Sequence, residues 1–176
     1  LRRGEFELYY QPRISLDDAR VAGVEALLRW NHPVRGLVMP ADFIPLAEEV
    51  GLIVPLGYWV IHQACQDMRA MDARGMEPIH VAVNLSFRQF LDVKFVETVG
   101  NIIDSAVIDP HRLEFELTET AIMSHFEETE RSMQTIRAMG PTFSLDDFGT
   151  GYSSFAHIQR LPLDAEVQGI ADVAAV

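Results

Sequence analysis

The sequence predicts an α/β fold in which parallel strands and helical crossovers close into a (β/α) TIM-like barrel. Three observations lead there. The chain opens with a hairpin-like pair of strands, strands and helices then alternate as βαβαβα from residue 79 onward, and a polar residue recurs near the end of successive strands. Such alternation implies parallel strands with helical crossovers. An open doubly wound sheet and a closed barrel both satisfy it. The polar residues favour the barrel, because chemistry on that fold sits at the C-terminal mouth.

Each element has its own signal. Phe6–Ser15 and Val21–Trp30 read as strands joined by Leu16-Asp-Asp-Ala19. Pro40 opens a helix through Glu49, since proline suits a first helical position. A longer helix, about Pro55 to Arg74, is stopped by Gly75. Ile79–Leu85 is a Val- and Ile-rich strand, Val93–Ala106 a helix and Leu113–Thr118 a strand. Ser124 and Glu127 have the spacing of a capping box for a helix running to Met139, closed by Gly140 and Pro141. Thr142–Asp147 is a strand and Tyr152–Leu161 a helix. The short apolar strands suit burial on both faces.

The bulk composition narrows the function. The 176 residues suit one domain, and 48% apolar with 23% charged residues is ordinary for a soluble globular chain. A formal charge of −12 argues against a nucleic-acid polymer as partner. A small phosphate ligand remains compatible if metal ions neutralise the carboxylates around it. Cys65 is the single cysteine and reads as a buried, inert thiol, which fits a reducing, cytoplasmic compartment. The longest apolar run, Val50 to Ile61, contains Pro55 and Gly57 and falls short of the ~20 residues of a membrane span. No signal peptide is visible, and the chain begins without Met. It therefore reads as a piece of a longer protein, with any sensor domain or membrane anchor outside it.

Side chains alternate along a strand. Glu25, Leu27 and Arg29 then share one face, as do Glu114, Glu116 and Thr118, and as do Ser144 and Asp146. Four successive strands each carry a carboxylate or amide: Glu25, Asn84, Glu116 and Asp146. Burying three carboxylates together is very costly unless a cation neutralises them. Oxygen donors suit Mg²⁺, Mn²⁺ or Ca²⁺ and not zinc. Asp147 is placed to reach a second ion, as in two-metal phosphodiester hydrolysis. Taken singly, an acid at a strand end is usually a solvated loop residue. Glu114 and Glu119 read that way, or as loop anchors. The histidines lack paired metal spacing and read as structural or surface groups. Asp147-Phe-Gly149 is not accompanied by the other kinase motifs, and Gly149-Thr-Gly151 lacks the third glycine of a dinucleotide fingerprint.

At these same residues the chain resembles the EAL family of bacterial cyclic-di-GMP phosphodiesterases. The matching blocks are Leu8-Tyr-Tyr-Gln-Pro12, Glu25-Ala-Leu-Leu-Arg-Trp-Asn-His-Pro33, Pro40-Ala-Asp-Phe-Ile-Pro45 and Ala47-Glu-Glu-Val-Gly-Leu-Ile53. They continue with Asn84-Leu-Ser86, Glu116-Leu-Thr-Glu119 and Asp146-Asp-Phe-Gly-Thr-Gly-Tyr-Ser-Ser154, in family order. The resemblance implies a single EAL-type domain over residues 1–176, built as a barrel whose first strand runs antiparallel to the rest. It implies that Glu25, Asn84, Glu116 and Asp146 hold one Mg²⁺ or Mn²⁺ ion and Asp147 a second. Arg29 then contacts the substrate phosphate and Gln11 lies near a guanine base. The 147–154 loop links the metal site to a homodimer interface, with Glu119 as its anchor. The implied reaction is hydrolysis of cyclic-di-GMP to linear pGpG, regulated by a sensor or cyclase-type domain upstream.

One departure stands against activity. After Leu161-Pro-Leu-Asp164 the family continues with Leu-Lys-Ile-Asp, whereas this chain has Glu166-Val-Gln-Gly169. Val167 takes the position of the lysine that places the attacking water and the phosphate. Valine neither donates a hydrogen bond nor carries charge. The family's later glutamate base and its last barrel strands are missing from these residues, so the barrel is expected to be incomplete at its C-terminal end and the second ion is in question. Two functions compete: a phosphodiesterase, and a catalytically inactive cyclic-di-GMP receptor. A third reading is a dimerisation scaffold without ligand.

Overall fold

The structure, a computed structural model, describes residues 1, 3–15, 18–118, 126–146, 161–163 and 165–166. The strands are β1 (Phe6–Ile14), β2 (Val21–His32), β3 (Gly36–Val38), β4 (His80–Asn84), β5 (Leu113–Thr118), β6 (Thr142–Asp146) and β7 (Ala165–Glu166). The helices are α1 (Pro40–Glu49), α2 (Ile53–Ala73), α3 (Phe87–Phe90), α4 (Phe95–Ala106) and α5 (Phe126–Arg137). One sheet runs β1-β2-β4-β5-β6-β7, with β3 paired to β2. The pairs from β2 through β7 along that path are parallel, and β1 is antiparallel to β2. The expected hairpin start and parallel run are both present. Among the described residues the sheet ends at β1 and β7 and does not close on itself.

The strands have two chemically opposite faces. On the outer face Val81, Val83, Leu113, Phe115, Leu117, Phe143 and Leu145 are buried among Val99, Ile103, Met133 and Ile136 of the helices. Phe115 and Phe143 meet with ring centroids 5.6 Å apart across neighbouring strands. Burying each such side chain stabilises the fold by about 1.5–3 kcal/mol. At the other end of the sheet, Phe6, Trp30, Phe43 and Trp59 form an aromatic cluster that seats β1 and β2 against α1 and α2. Tyr10 donates to Asp67 at 2.6 Å and ties the antiparallel strand to α2. Cys65 is fully buried in that helix, and burial pushes its thiol up to about 11, as expected of an inert cysteine.

Several ends differ from the sequence reading. β2 extends to His32 because it also pairs with the short β3, an element that three residues of pattern do not reveal. His32 serves that turn: its Nδ1 accepts from the Val34 and Arg35 amides at 3.1 and 3.2 Å. Gly75 ends the α2 region at φ +74, where glycine costs least. Arg112 donates from Nη1 (2.9 Å) and Nη2 to Asp72, fixing the entry to β5 against the end of α2. The capping residue Ser124, residues 152–160 of the expected helix and part of the first hairpin turn lie outside the described residues.

The one-turn helix α3 was also missed, and it depends on a close approach. Ser86 and Gln89 form a reciprocal capping box, with Gln89 Oε1 accepting from the Ser86 amide at 3.0 Å. Ser86 Oγ also donates to Glu48 at 2.6 Å. Gln89 is 1% exposed and its amide lies over Gly57, where an added Cβ would overlap it. Gly57→Ala should therefore lower stability by roughly 1–3 kcal/mol despite alanine's better helix propensity. Urea denaturation measures this, and Gln89→Ala in the same chain should recover part of the loss. A G57A chain as stable as the wild type would refute the packing argument.

Candidate functional site

The inner face of the sheet is as polar as the outer face is apolar. Registered pairs place Glu7, Tyr9, Gln11 and Arg13 of β1 opposite Arg29, Leu27, Glu25 and Gly23 of β2. Across the next strands Glu25 pairs with Ala82, Asn84 with Glu116, Glu116 with Ser144 and Thr118 with Asp146. Residue parity then puts Glu25, Asn84 and Glu116 on one face, with Asp146 in register beside Thr118. Glu25 lies two residues below Asn84, Asn84 is level with Glu116, and Asp146 is two residues beyond the partner of Glu116, a stagger of the kind a barrel's shear produces.

Two carboxylates and one amide meet there. Asn84 Nδ2 donates to Glu25 Oε1 at 2.7 Å. Asn84 also stands level with Glu116, and the Leu85 amide donates to the Glu116 carbonyl at 2.9 Å, which locks that register. Glu25 lies in the body of β2 and not at its end, because β2 continues beyond the sheet's other strands to meet β3. Among the described residues no three His, Cys, Asp or Glu side chains gather as a metal-holding cluster. The donors in place are the Glu25 and Glu116 carboxylates and the Asn84 amide, with Asp146 next in register. Asp147, Glu119, Val167 and the 147–154 loop lie outside the described residues.

The ligand-binding candidates flank this group. Gln11 is exposed and directly opposite Glu25. Arg29 sits four residues beyond Glu25 on the same face. Its Nη1 donates to the Leu28 carbonyl at 2.9 Å and its guanidinium lies 5.5 Å from the Tyr9 ring centroid. Among the described residues it takes no carboxylate partner.

Glu114 corrects the sequence reading. It is not a solvated loop residue: it lies in β5, accepts from Ser144 Oγ at 2.6 Å and from Arg13 Nη1 at 3.3 Å. Arg13 itself went unnoticed in the sequence. Its Nη2 also pairs with Glu116, which is 2% exposed. The signal was available, because Arg13 is two residues from Gln11 and must share its face once β1 pairs with β2.

Burial is the largest influence on Glu116 and pushes its carboxyl up to about 7. Arg13 opposes this, while Glu25 and Glu114 add to it. Arg13 is in turn held protonated: burial opposes its charge, and the Glu116 hydrogen bond and the three carboxylates outweigh that. The upward direction for Glu116 follows from its burial first, with the neighbouring Glu25 and Glu114 adding to it and Arg13 only partly offsetting it.

The sequence and the fold agree with known relatives. The family model for the EAL domain matches residues 1–167. The chain is 42% identical over 165 residues to the cyclic di-GMP phosphodiesterase NbdA of Pseudomonas aeruginosa, covering 94% of this chain and 21% of that protein. It is 42% identical over 162 residues to MucR of the same organism, a bifunctional diguanylate cyclase/cyclic di-GMP phosphodiesterase, covering 92% and 24%. The solved c-di-GMP complex of the PaMucR phosphodiesterase superposes with a TM-score of 0.86 at 41% identity, over 92% of this chain and 66% of that one. The EAL enzyme Bd1971, solved with cAMP and cyclic-di-GMP bound, gives 0.83 at 32% identity, over 92% and 45%. This α/β chain, with its polar inner face, belongs to the EAL domain family. It spans about a quarter or less of the length of these two curated relatives.

The raised Glu116 has a consequence for stability. A carboxyl at about 7 in the folded chain and near 4.5 when unfolded binds its proton more tightly in the folded state. That contribution is fully present below pH 4.5 and is lost as the pH rises through 7. In chelator, the melting temperature should therefore fall between pH 5 and 7.5 for this group's part, and Glu116→Gln should flatten the slope. Thermal unfolding across that range checks it; an equal slope in both chains would refute the assignment.

Proposed function

We propose that this chain, taken as one domain over residues 1–176, belongs to a metal-dependent phosphodiesterase that hydrolyses cyclic-di-GMP to linear pGpG. The observation that carries the reading is the meeting of Glu25, Asn84 and Glu116 on the inner face, joined by the 2.7 Å Asn84–Glu25 hydrogen bond. The donor set fits a hard divalent cation. All the donors are oxygen, and Glu25, Glu114 and Glu116 share a single guanidinium there. Mg²⁺ or Mn²⁺ is the reading's cofactor, with Glu25, Asn84, Glu116 and Asp146 around one ion and Asp147 toward a second. When bound, such ions supply an activated water and charge neutralisation for an in-line displacement.

The remaining roles fall to the chain's own groups. Arg29 offers a fork to a phosphate oxygen of the cyclic dinucleotide. Gln11, exposed beside Glu25, offers donor and acceptor groups to a guanine edge. Glu119 anchors the 147–154 loop, through which two copies would pair. The relatives named above, a phosphodiesterase and a bifunctional cyclase/phosphodiesterase, support this reading, and their greater length supports a regulatory domain elsewhere in the parent protein. No helix among the described residues is long and apolar enough to cross a membrane.

A second reading rests on Val167. With valine where the family has lysine, water and phosphate lose a positioning cation, and the same face serves as a cyclic-di-GMP receptor without turnover. Incubating the chain with cyclic-di-GMP and Mg²⁺ or Mn²⁺, while following both binding and pGpG release, separates the two. Metal-dependent pGpG release supports the phosphodiesterase, whereas binding that Arg29→Ala weakens about tenfold or more, with little or no pGpG, supports the receptor. Robust hydrolysis that vanishes in Glu25→Ala would establish the enzyme and overturn the weight given to Val167. Absence of binding would overturn both readings.

A further inference from the structure

Beneath the Glu25–Asn84–Glu116 group lies a second network that the family's implied roles leave unused. Arg13 stands opposite Gly23 on the inner face, so nothing larger than a hydrogen intervenes from that partner position. Its two terminal nitrogens divide between two carboxylates: Nη2 pairs with Glu116 Oε1 and Nη1 with Glu114 Oε1 at 3.3 Å. Ser144 Oγ lies 2.6 Å from Glu114 Oε1 and 3.5 Å from Glu116 Oε1. The guanidinium and Glu114 are each 21% exposed, and Glu116 is 2% exposed. This is a built, largely buried cluster of four side chains from three strands.

Two facts about the cluster stand out. The oxygen that Arg13 takes belongs to Glu116, the most buried of the candidate metal ligands among the described side chains. The second carboxylate, Glu114, is two residues short of the ligand level, yet it is held by Ser144 as well as by Arg13. A buried carboxylate left without a cation is strongly destabilising. A strand that carries such a carboxylate needs a counter-charge during folding, before any ion has bound.

Building on the metal-site reading above, we propose that Arg13 is a positioning residue of that site: it is the resident counter-cation that holds Glu116 until a divalent ion takes Glu116 over, and it then rests on Glu114. Arg13 and the ion compete for one carboxylate. Glu114, fixed by Ser144, gives the guanidinium a second seat, so that ion binding does not strand a positive charge inside the sheet. The cluster thus keeps the ion-free chain folded at the expense of some affinity for the ion.

The two halves of this proposal have opposite signs, which makes it separable from a merely structural role. Without metal, loss of Arg13 leaves Glu25, Glu114 and Glu116 uncompensated, and the chain is less stable. With metal, loss of Arg13 removes a competitor and a nearby positive charge, and the ion binds more tightly. A side chain that only orients Glu116 would weaken ion binding when removed.

The test uses the full chain stripped of metal, with Mn²⁺ alone as the probe. Wild type, Arg13→Met and Arg13→Lys are compared by thermal unfolding in chelator and in saturating Mn²⁺, and by calorimetric titration with Mn²⁺. R13M is expected to melt below wild type in chelator, to recover most of the difference in Mn²⁺, and to bind Mn²⁺ on the order of tenfold more tightly. R13K keeps the charge without the fork and is expected to fall between the two. Adding Glu116→Gln to R13M should restore part of the stability lost in chelator. If R13M does not fold, R13K decides, and unchanged affinity in it overturns the proposal. Equal or weaker Mn²⁺ binding by R13M overturns the proposal while leaving the metal site standing. Failure of the wild type to bind Mn²⁺ overturns the metal-site reading and the proposal with it.

Discussion

The two-residue period of β5 organises this molecule. Leu113, Phe115 and Leu117 are buried against helices on one side, while Glu114 and Glu116 face the other. A one-residue slip in register would send three large apolar side chains inward and two carboxylates into the helix layer. Each carboxylate so displaced would lose its Arg13 or Ser144 partner and meet only hydrocarbon. The hydrophobic and the electrostatic terms therefore penalise the same error. Neighbouring strands inherit the constraint through registered pairs, with Asn84 set against Glu116 and Glu116 against Ser144. Assembly of the polar group is thus a by-product of packing the outer layer correctly.

That coupling explains which features were legible in the sequence. The outer face was easy to read because Val81, Val83, Leu113, Phe115 and Leu117 repeat at alternate positions in strands flanked by clear stops. Glu25, Asn84 and Glu116 stood out because acids and amides interrupt that pattern. The antiparallel first strand was implied by the family resemblance and agreed with the hairpin-like spacing. By contrast β3 and α3 hold three and four residues, too few for a period to show, and both exist through contacts distant in sequence. The β2–β3 pairing also explains why Glu25 lies mid-strand. Sequence pattern marks where apolar alternation stops, and an edge ladder continues past that point.

Arg13 and Glu114 illustrate a different limit. Each looks like an ordinary surface charge when read along its own strand. Their meaning comes from pairing across strands about 100 residues apart, as in the Arg13–Glu114 bond at a separation of 101. Alternation assigns a face to each residue, but it does not say which faces converge. Only the register of β1 on β2, and of β2 through β4 to β5, sets the guanidinium between the two carboxylates. A family motif emphasises ligands, so it too draws attention away from the groups that support them.

The inner face follows a rule of charge neutrality that connects stability to chemistry. Hydrophobic burial on the outer face would stabilise the sheet whatever lay inside, so the carboxylates are not needed for the fold and oppose it. Glu116 shows that opposition directly, being pushed up to about 7 by burial even with Arg13 beside it. A site that holds cations must concentrate negative charge, and a folded chain must limit it before the cation arrives. Arg13 limits that charge with a single side chain, because its planar fork bridges Glu114 and Glu116 while a lysine would offer one point charge. Arg29, by contrast, stands opposite Glu7 at the other end of the same face and, among the described residues, forms no ion pair, its guanidinium meeting a backbone carbonyl and the Tyr9 ring. The face therefore separates a cation that balances its own acids from one that no described carboxylate engages. A phosphate-binding function requires that separation, since a guanidinium already neutralised by glutamate has little attraction left for phosphate.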